Sequence, residues 1–333
     1  MVRSLAPGFW KGRLVLITGA TGFIGSSLAA RLDDRGARVV GFARYEGHKA
    51  ESSFHRLRLK KRIKIIYGEL ENYSLVRKIV NQYDFGAIYH LAAQAIVGKA
   101  NQDPLLTFKT NIEGTWNLLE SCRQKDCAQA IVIASTDKAY GAHRKLPYRE
   151  DYPLQPDYPY DVSKACADMI ARSYYKTYGL PVVVTRFCNI YGPGDLNFSR
   201  IVPDVIRSVL RGERPIIRSD GTPERDYLYI DDVTDLYLLL AERTKETKGN
   251  IFNAGHNKPV DVLSLVKMIL RLARRADLKP DIRGKGKLRG EIDRQWMDGE
   301  KARRMLGWAP HVGLDEGLRR TIDWYRGYLR LEI

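Results

Sequence analysis

Cysteine, methionine and histidine are scarce in this chain of 333 residues, and acid is short of base: 39 Asp and Glu stand against 55 Lys and Arg. Each shortage excludes something. The four cysteines, Cys122, Cys127, Cys166 and Cys188, fit no common zinc spacing and no secreted disulfide framework. Reduced, buried thiols are expected, with no metal site and a cytoplasmic location. No run of about 18 apolar residues occurs, so no membrane span is expected. "LVLIT" is too short for the apolar core of a signal peptide and leads straight into glycines, so it reads as a strand. No internal repeat and no low-complexity tract is present. The net charge of +16 suits nucleic acid, an anionic membrane or a phosphorylated substrate. The densest basic run, "HRLRLKKRIK" at 55–64, carries no helix-turn-helix, zinc-finger or aromatic RNA-binding signature. It reads as a solvated face before a strand, and no nucleic-acid partner is expected.

What is present is alternation. "RLVLIT", "ARVVGFA", "IKIIYG", "GAIYHLA", "AIVIAS" and "LPVVVTRF" are short, β-branched apolar runs separated by longer helical patterns. Such βα alternation predicts an α/β fold with a doubly wound parallel sheet. "TFKTNIEGTWNLLESCRQ" and "YDVSKACADMIARSYYKTYG" read as long helices. Past Arg186 the pattern breaks into turn-rich stretches and further helices, with "NIFNAG" as one more strand returning to the sheet. The expected organisation is a Rossmann domain over 1–186, rejoined by about 228–256, and a smaller α/β substrate domain from 187–227 and 257–333.

"ITGATGFIG" follows the first strand and opens a helix, with Gly19, Gly22 and Gly25 three apart. Glycines there permit a tight turn and close approach of a pyrophosphate to a helix N-terminus. A glycine triplet alone also serves any tight turn; its place in a βαβ unit points to a dinucleotide, NAD or NADP. The second strand ends in "FARYEG", with Arg44 near the position where NAD sites carry a carboxylate. Arg44 can hold a 2′-phosphate, which leans towards NADP, or lie beside the adenine. Glu69 in "YGEL" can accept from the adenine amino group or be an ordinary loop carboxylate.

"YDVSK" sets Tyr160 and Lys164 four apart, on one helix face. An ammonium and the nicotinamide charge favour a phenolate, so the Tyr160 pKa is expected to fall. Alone, Y-x-x-x-K is an ordinary helix pair; with the glycine turn and Thr136 upstream it is specific. With "TGATGFIG", "HLAAQ", "TNIEGTWNLLE", "STDKAYG", "YPYDVSKA", "RFCNIYGPGD", "ERDYLYIDDV" and "LGWAP" in order, nearly the whole chain resembles an extended short-chain dehydrogenase/reductase acting on nucleotide sugars. The resemblance implies a Rossmann domain, a sugar-nucleotide domain and a homodimer built on two long helices per subunit. It implies a cofactor-binding set of Gly19, Thr21, Gly22, Phe23, Ile24, Gly25, Arg44, Glu69, Leu70, Leu91, Ala92, Ala93, Tyr160 and Lys164. Thr136 and Tyr160 would contact the sugar's 4-hydroxyl and Lys164 the nicotinamide ribose. Gln94, Asn111, Asn189, Arg225 and Arg294 form the implied substrate side. Asn111 positions the active-site helix, and Asn189 and Arg225 meet phosphates. Arg225 is the strongest of these, since a guanidinium fork suits a pyrophosphate.

The reaction class turns on Asp137 and Lys138. A 4-epimerase needs no acid or base beyond the tyrosine. A 4,6-dehydratase must also take the C5 proton and protonate the departing 6-hydroxyl. The Asp-Lys pair resembles the CDP-glucose 4,6-dehydratases, with Lys138 where other dehydratases carry glutamate. Asp137 would be the general acid, with a raised pKa, and Lys138 the C5 base; alternatively the two form an ion pair with Lys138 stabilising the enolate. The expectation is a nucleotide-sugar 4,6-dehydratase, CDP-glucose first and GDP-mannose second. The alternatives are a 4-epimerase, more distantly a uronic-acid-sugar decarboxylase, and a non-catalytic binding protein on the same fold.

Overall fold

The computed structural model describes residues 8–44, 52–125, 128–285 and 292–330. Cys127 and part of "KGKLRGEIDR" (285–294), which reads as a polar connection, lie outside them. The apolar runs form strands β1 (Leu14–Thr18), β2 (Arg38–Ala43), β3 (Lys64–Tyr67), β4 (Ala87–His90), β5 (Ile131–Thr136), β6 (Val182–Phe187) and β7 (Ile251–Ala254). They make one parallel sheet in the order β7-β6-β5-β4-β1-β2-β3. The α/β doubly wound fold expected from the alternation is what forms. Chain order reverses between β1 and β4, and the crevice beyond their carboxyl ends is where such sheets bind ligands.

Side-chain alternation on the strands builds a core on each face. Val15 and Ile17 of β1 pack on one side with Leu28, Leu32 and helix Ile230–Glu242. Leu16 packs on the other with Val76, Ile79, Leu118 and Ile133. A third cluster joins helices Ile201–Leu210, Val262–Leu272 and Leu314–Leu329 through Val205, Ile206, Leu265, Ile269, Leu318 and Ile322. Two two-stranded ladders and one three-stranded ladder lie outside the large sheet.

Three helices position the site. Helix α1 (Phe23–Asp34) follows the glycine turn. The long helix expected over 107–124 begins earlier, at Pro104, with Asp103 capping Leu106 N at 2.9 Å. It is interrupted by a π-helical turn at Lys109–Glu113 before continuing as α2 (Gly114–Lys125). Such turns recur at functional sites, and this one carries Asn111. Helix α3 (Pro159–Tyr178) starts with Pro at its first position and ends at Gly179, in the left-handed region. The run 55–64 holds one helical turn, Ser53–Arg56, and a 3₁₀ turn, Leu59–Lys61, ahead of β3, as expected.

Candidate active site

Two cavities meet at the crevice. The first, about 640 Å³, is lined by Gly19, Thr21, Gly22, Phe23, Ile24, Gly25, Ala43, Arg44, Leu70 and Leu91–Ala93. Gly19 has φ +73°, and a Cβ on it would lie 2.9 Å from the Ala92 backbone. A Cβ on Gly25 would lie 2.1 Å from the Gly19 carbonyl oxygen. Only glycine lets the turn close against both the helix start and the β4 loop. Glu69 is exposed and is not among the lining residues; Glu71, two residues on, is, and it accepts from the Thr110 hydroxyl.

The second cavity, about 490 Å³, is lined by Thr136, Asp137, Lys138, Tyr160, Lys164, Asn189 and Arg225. Ile24, Leu91, Ala93, Ala95 and Arg200 line both cavities, so the two are continuous. Strand β5 ends at Thr136, and the 3₁₀ turn Asp137–Tyr140 folds straight off it. The Thr136 hydroxyl donates to Asp137 Oδ1 at 3.0 Å and accepts from Lys138 N at 3.3 Å. It lies near the Tyr160 phenol and tempers the rise in that phenol's pKa. Asp137 is buried, and its Oδ2 has no protein partner. Burial pushes its carboxyl pKa up, against the pull of Lys138, Thr136 and Arg225. Among the described residues no ion pair within 4 Å joins Asp137 and Lys138, so the tight-pair alternative is not what forms.

Tyr160 departs from expectation. Burial holds its phenol up at about 12, and the cation offsetting this is Arg200, with Asp137 and Asp161 adding to the rise. Lys164 is buried, donates to the Ala134 carbonyl oxygen, and is lowered to about 8 by burial against the pull of Asp168. Beneath it, His90 lies between the Thr18 and Thr115 hydroxyls at 2.9 and 3.0 Å, and burial, helped by Lys164, drops its pKa to about 3.

Asn111 is buried behind the wall. Its carboxamide oxygen accepts from Gln94 N at 2.7 Å, and its nitrogen donates to Ser163 Oγ at 2.8 Å. Ser163 in turn donates to the Tyr160 carbonyl. The π-helical turn thus ties the β4 loop to the first turn of α3. Gln94 turns its side-chain oxygen onto Ile96 N and, like Asn111, is not among the lining residues. Arg225 is buried and lines the cavity, with Nη1 donating to the Glu224 and Asp293 carbonyls at 2.9 and 3.0 Å. Arg294 is exposed, bonds Glu224 at 2.6 Å, stacks on Trp296, and does not line the cavity.

Sequence reading passed over two residues here. Arg200 precedes helix Ile201–Leu210 and pairs with Asp195 at 3.1 Å. Asp161 is buried, with Oδ1 unpartnered, and burial raises it to about 6 against Lys138's pull. An acid in a helix's first turn looks like a response to the helix dipole, which hid it.

Residues 16–321 match the family model described as GDP-mannose 4,6 dehydratase. The chain belongs to the nucleotide-sugar epimerase/dehydratase family of extended short-chain dehydrogenases/reductases. It is 30% identical to the CDP-glucose 4,6-dehydratase of Salmonella typhimurium, over 97% of this chain and 93% of that protein. It is also 30% identical to UDP-glucuronate 4-epimerase 2 of Arabidopsis thaliana, over 96% of this chain and 77% of that protein. The structure of dTDP-glucose 4,6-dehydratase from Bacillus anthracis, in complex with NAD, superposes with a TM-score of 0.84 at 28% identity, covering 95% of this chain and 97% of that one. As a member of the epimerase/dehydratase family, the protein is a nucleotide-sugar-modifying enzyme. No helix among its described residues is long and apolar enough to cross a membrane.

Proposed function

We propose that this enzyme is a 4,6-dehydratase, taking CDP-glucose first and GDP-mannose second. The observation that carries this is Asp137: a buried carboxyl in the cavity wall, raised in pKa, with Oδ2 unpartnered, one residue from Lys138 and hydrogen-bonded to Thr136 in a cavity that Tyr160 also lines. A carboxyl whose ionisation burial disfavours, with an oxygen free of protein partners, suits the loss of a hydroxyl. An epimerase has no use for it.

The first cavity fits a nicotinamide dinucleotide, because its glycine turn leaves open the space that side chains would fill. NAD, as in the B. anthracis dehydratase, or NADP, through Arg44, would lie along Gly19–Gly25, Leu70 and Leu91–Ala93, with Lys164 on the ribose. A nicotinamide held there would supply the hydride acceptor for C4 and the hydride donor for C6, with no net oxidation. Tyr160 takes the 4-hydroxyl proton, Lys138 takes the C5 proton, and Asp137 gives its proton to the departing 6-hydroxyl. Asn189 and Arg225 bind phosphate, and Asn111 holds the α3 start in place. Two lobes and a homodimer complete this reading. Leu105, Trp116 and Met169 are exposed on the two long helices that would pair.

A 4-epimerase is the second reading, supported by the equal identity to UDP-glucuronate 4-epimerase 2. Mass spectrometry of CDP-, GDP-, dTDP- and UDP-sugars after incubation with either cofactor decides between them. Loss of one water from one member is the expected result. An isomer of unchanged mass would favour the epimerase.

A further inference from the structure

One short segment, residues 195–200, stands between the two cavities. Leu196 and Phe198 line the first, Asp195, Asn197 and Ser199 line the second, and Arg200 lines both. The segment belongs to no strand or helix, so its own side chains hold its two faces together. Asp195 is buried; its Oδ1 accepts from Asn197 N and its Oδ2 from Arg200 Nη1, each at 3.1 Å. Asn197 Oδ1 in turn accepts from Ser199 N at 3.1 Å and from Ser199 Oγ at 2.6 Å. These bonds, made by residues that line the second cavity, fix the backbone that carries Leu196 and Phe198 into the first.

Two anchors from distant parts of the chain grip the start of the segment. Ser53 Oγ, in the helical turn ahead of β3, donates to the Gly194 carbonyl at 2.6 Å. Gly194 has φ +89°, and a Cβ on it would lie 2.2 Å from Ser53 Oγ, so this approach needs glycine. From helix Leu314–Leu329 the Tyr325 hydroxyl donates to the Asp195 carbonyl. Further along, the Arg207 guanidinium lies 4.0 Å over the Phe198 ring. We propose that segment 195–200 is a shared wall that couples the two ligands: a cofactor seated against Leu196 and Phe198 sets the face that the nucleotide sugar meets, and each ligand raises the affinity for the other. This coupling rests on the placement proposed above, a nicotinamide dinucleotide in the first cavity and a nucleotide sugar in the second, and it holds for a dehydratase and an epimerase alike. A ligand shifts such a wall only through contacts that differ between its positions. Trimming the contact on one face, or cutting the bonds between the faces, therefore removes the coupling. Linkage also makes it reciprocal: both ligands gain by the same factor.

Equilibrium dialysis of wild type, F198A and N197A tests it, with NAD or NADP as one ligand and CDP, GDP, dTDP or UDP as the other. These diphosphates lack the sugar, so no reaction disturbs the equilibrium. In wild type, the diphosphate that binds is expected to tighten the cofactor roughly 5- to 150-fold, and the cofactor to tighten that diphosphate by the same factor. Phe198 does not line the second cavity. F198A should therefore bind the diphosphate alone as wild type does, bind the cofactor more weakly, and lose the mutual tightening. N197A, which cuts the bonds to Ser199, should also bring the coupling factor back towards unity, and it carries the test should F198A, without its stack on Arg207, fail to fold. Independent or opposed binding in wild type would overturn the coupling while leaving the proposed occupancy intact. A coupling that survives both variants at its wild-type size would overturn the shared wall. Wild type that binds neither cofactor, or none of the four diphosphates, would overturn the occupancy as well.

Discussion

The two joined cavities are built by different means. The cofactor side is shaped by backbone: a glycine turn closed so tightly that a single Cβ at Gly25 would sit 2.1 Å from a carbonyl oxygen. The substrate side is shaped by ionisable side chains, with Asp137, Lys138, Tyr160, Lys164 and Arg225 in one wall. The first should therefore be sensitive to volume and indifferent to charge, the second sensitive to charge.

The largest expected effect breaks the charged side. D137N keeps the shape but cannot supply a proton to the 6-hydroxyl, so dehydration falls by about 100- to 10,000-fold. C4 oxidation persists, read as reduced-cofactor absorbance in a single turnover, and cofactor affinity is unchanged. Next in size, G25A should do the reverse. Overpacking costs about 1–3 kcal/mol, so cofactor affinity drops roughly 10- to 100-fold in a fluorescence titration. Nucleotide-sugar affinity holds. Equal losses on both sides from either variant would dissolve the distinction.

The smallest effect concerns stability. Asp161 titrates at 3.8 unfolded and about 6 folded, because it is buried. A raised carboxyl pKa costs no stability below 3.8 and destabilises the fold increasingly as pH rises through 6, by roughly 2–3 kcal/mol. D161N removes that cost. Its melting temperature should exceed wild type by several degrees at pH 8 and match it near pH 4. His90 acts oppositely: its folded pKa is depressed to about 3, so the stability it contributes above pH 6.5 is lost as pH falls towards 3. A pH-independent gap between D161N and wild type would mean that packing, not ionisation, governs Asp161.

How legible each side was follows from the same contrast. Strand periodicity and the glycine spacing carry the sheet and the cofactor turn, because backbone geometry restricts residue type locally. The lining of the substrate side depends on which way a side chain points. Arg294 pairs beside Glu224 and Gln295 beside Arg225 in a short ladder, so alternation buries Gln295 and turns Arg294 out. A one-residue difference in register, invisible in composition, decides it. Glu69 and Glu71 flank the buried Leu70 in a turn outside any strand, where no periodicity applies, and only Glu71 lines the cavity. Asp137, Lys138, Tyr160 and Lys164 were legible because they fall at a strand's end and a helix's start, which the fold brings together.

The measurement that tests the central claim most directly is the fate of a deuterium placed at C4 of the nucleotide sugar. The Asp137–Lys138 corner predicts that it appears at C6 of a product lighter by one water. Deuterium retained at C4 of an isomer of unchanged elemental composition would contradict the account and make that corner a bystander in an epimerase.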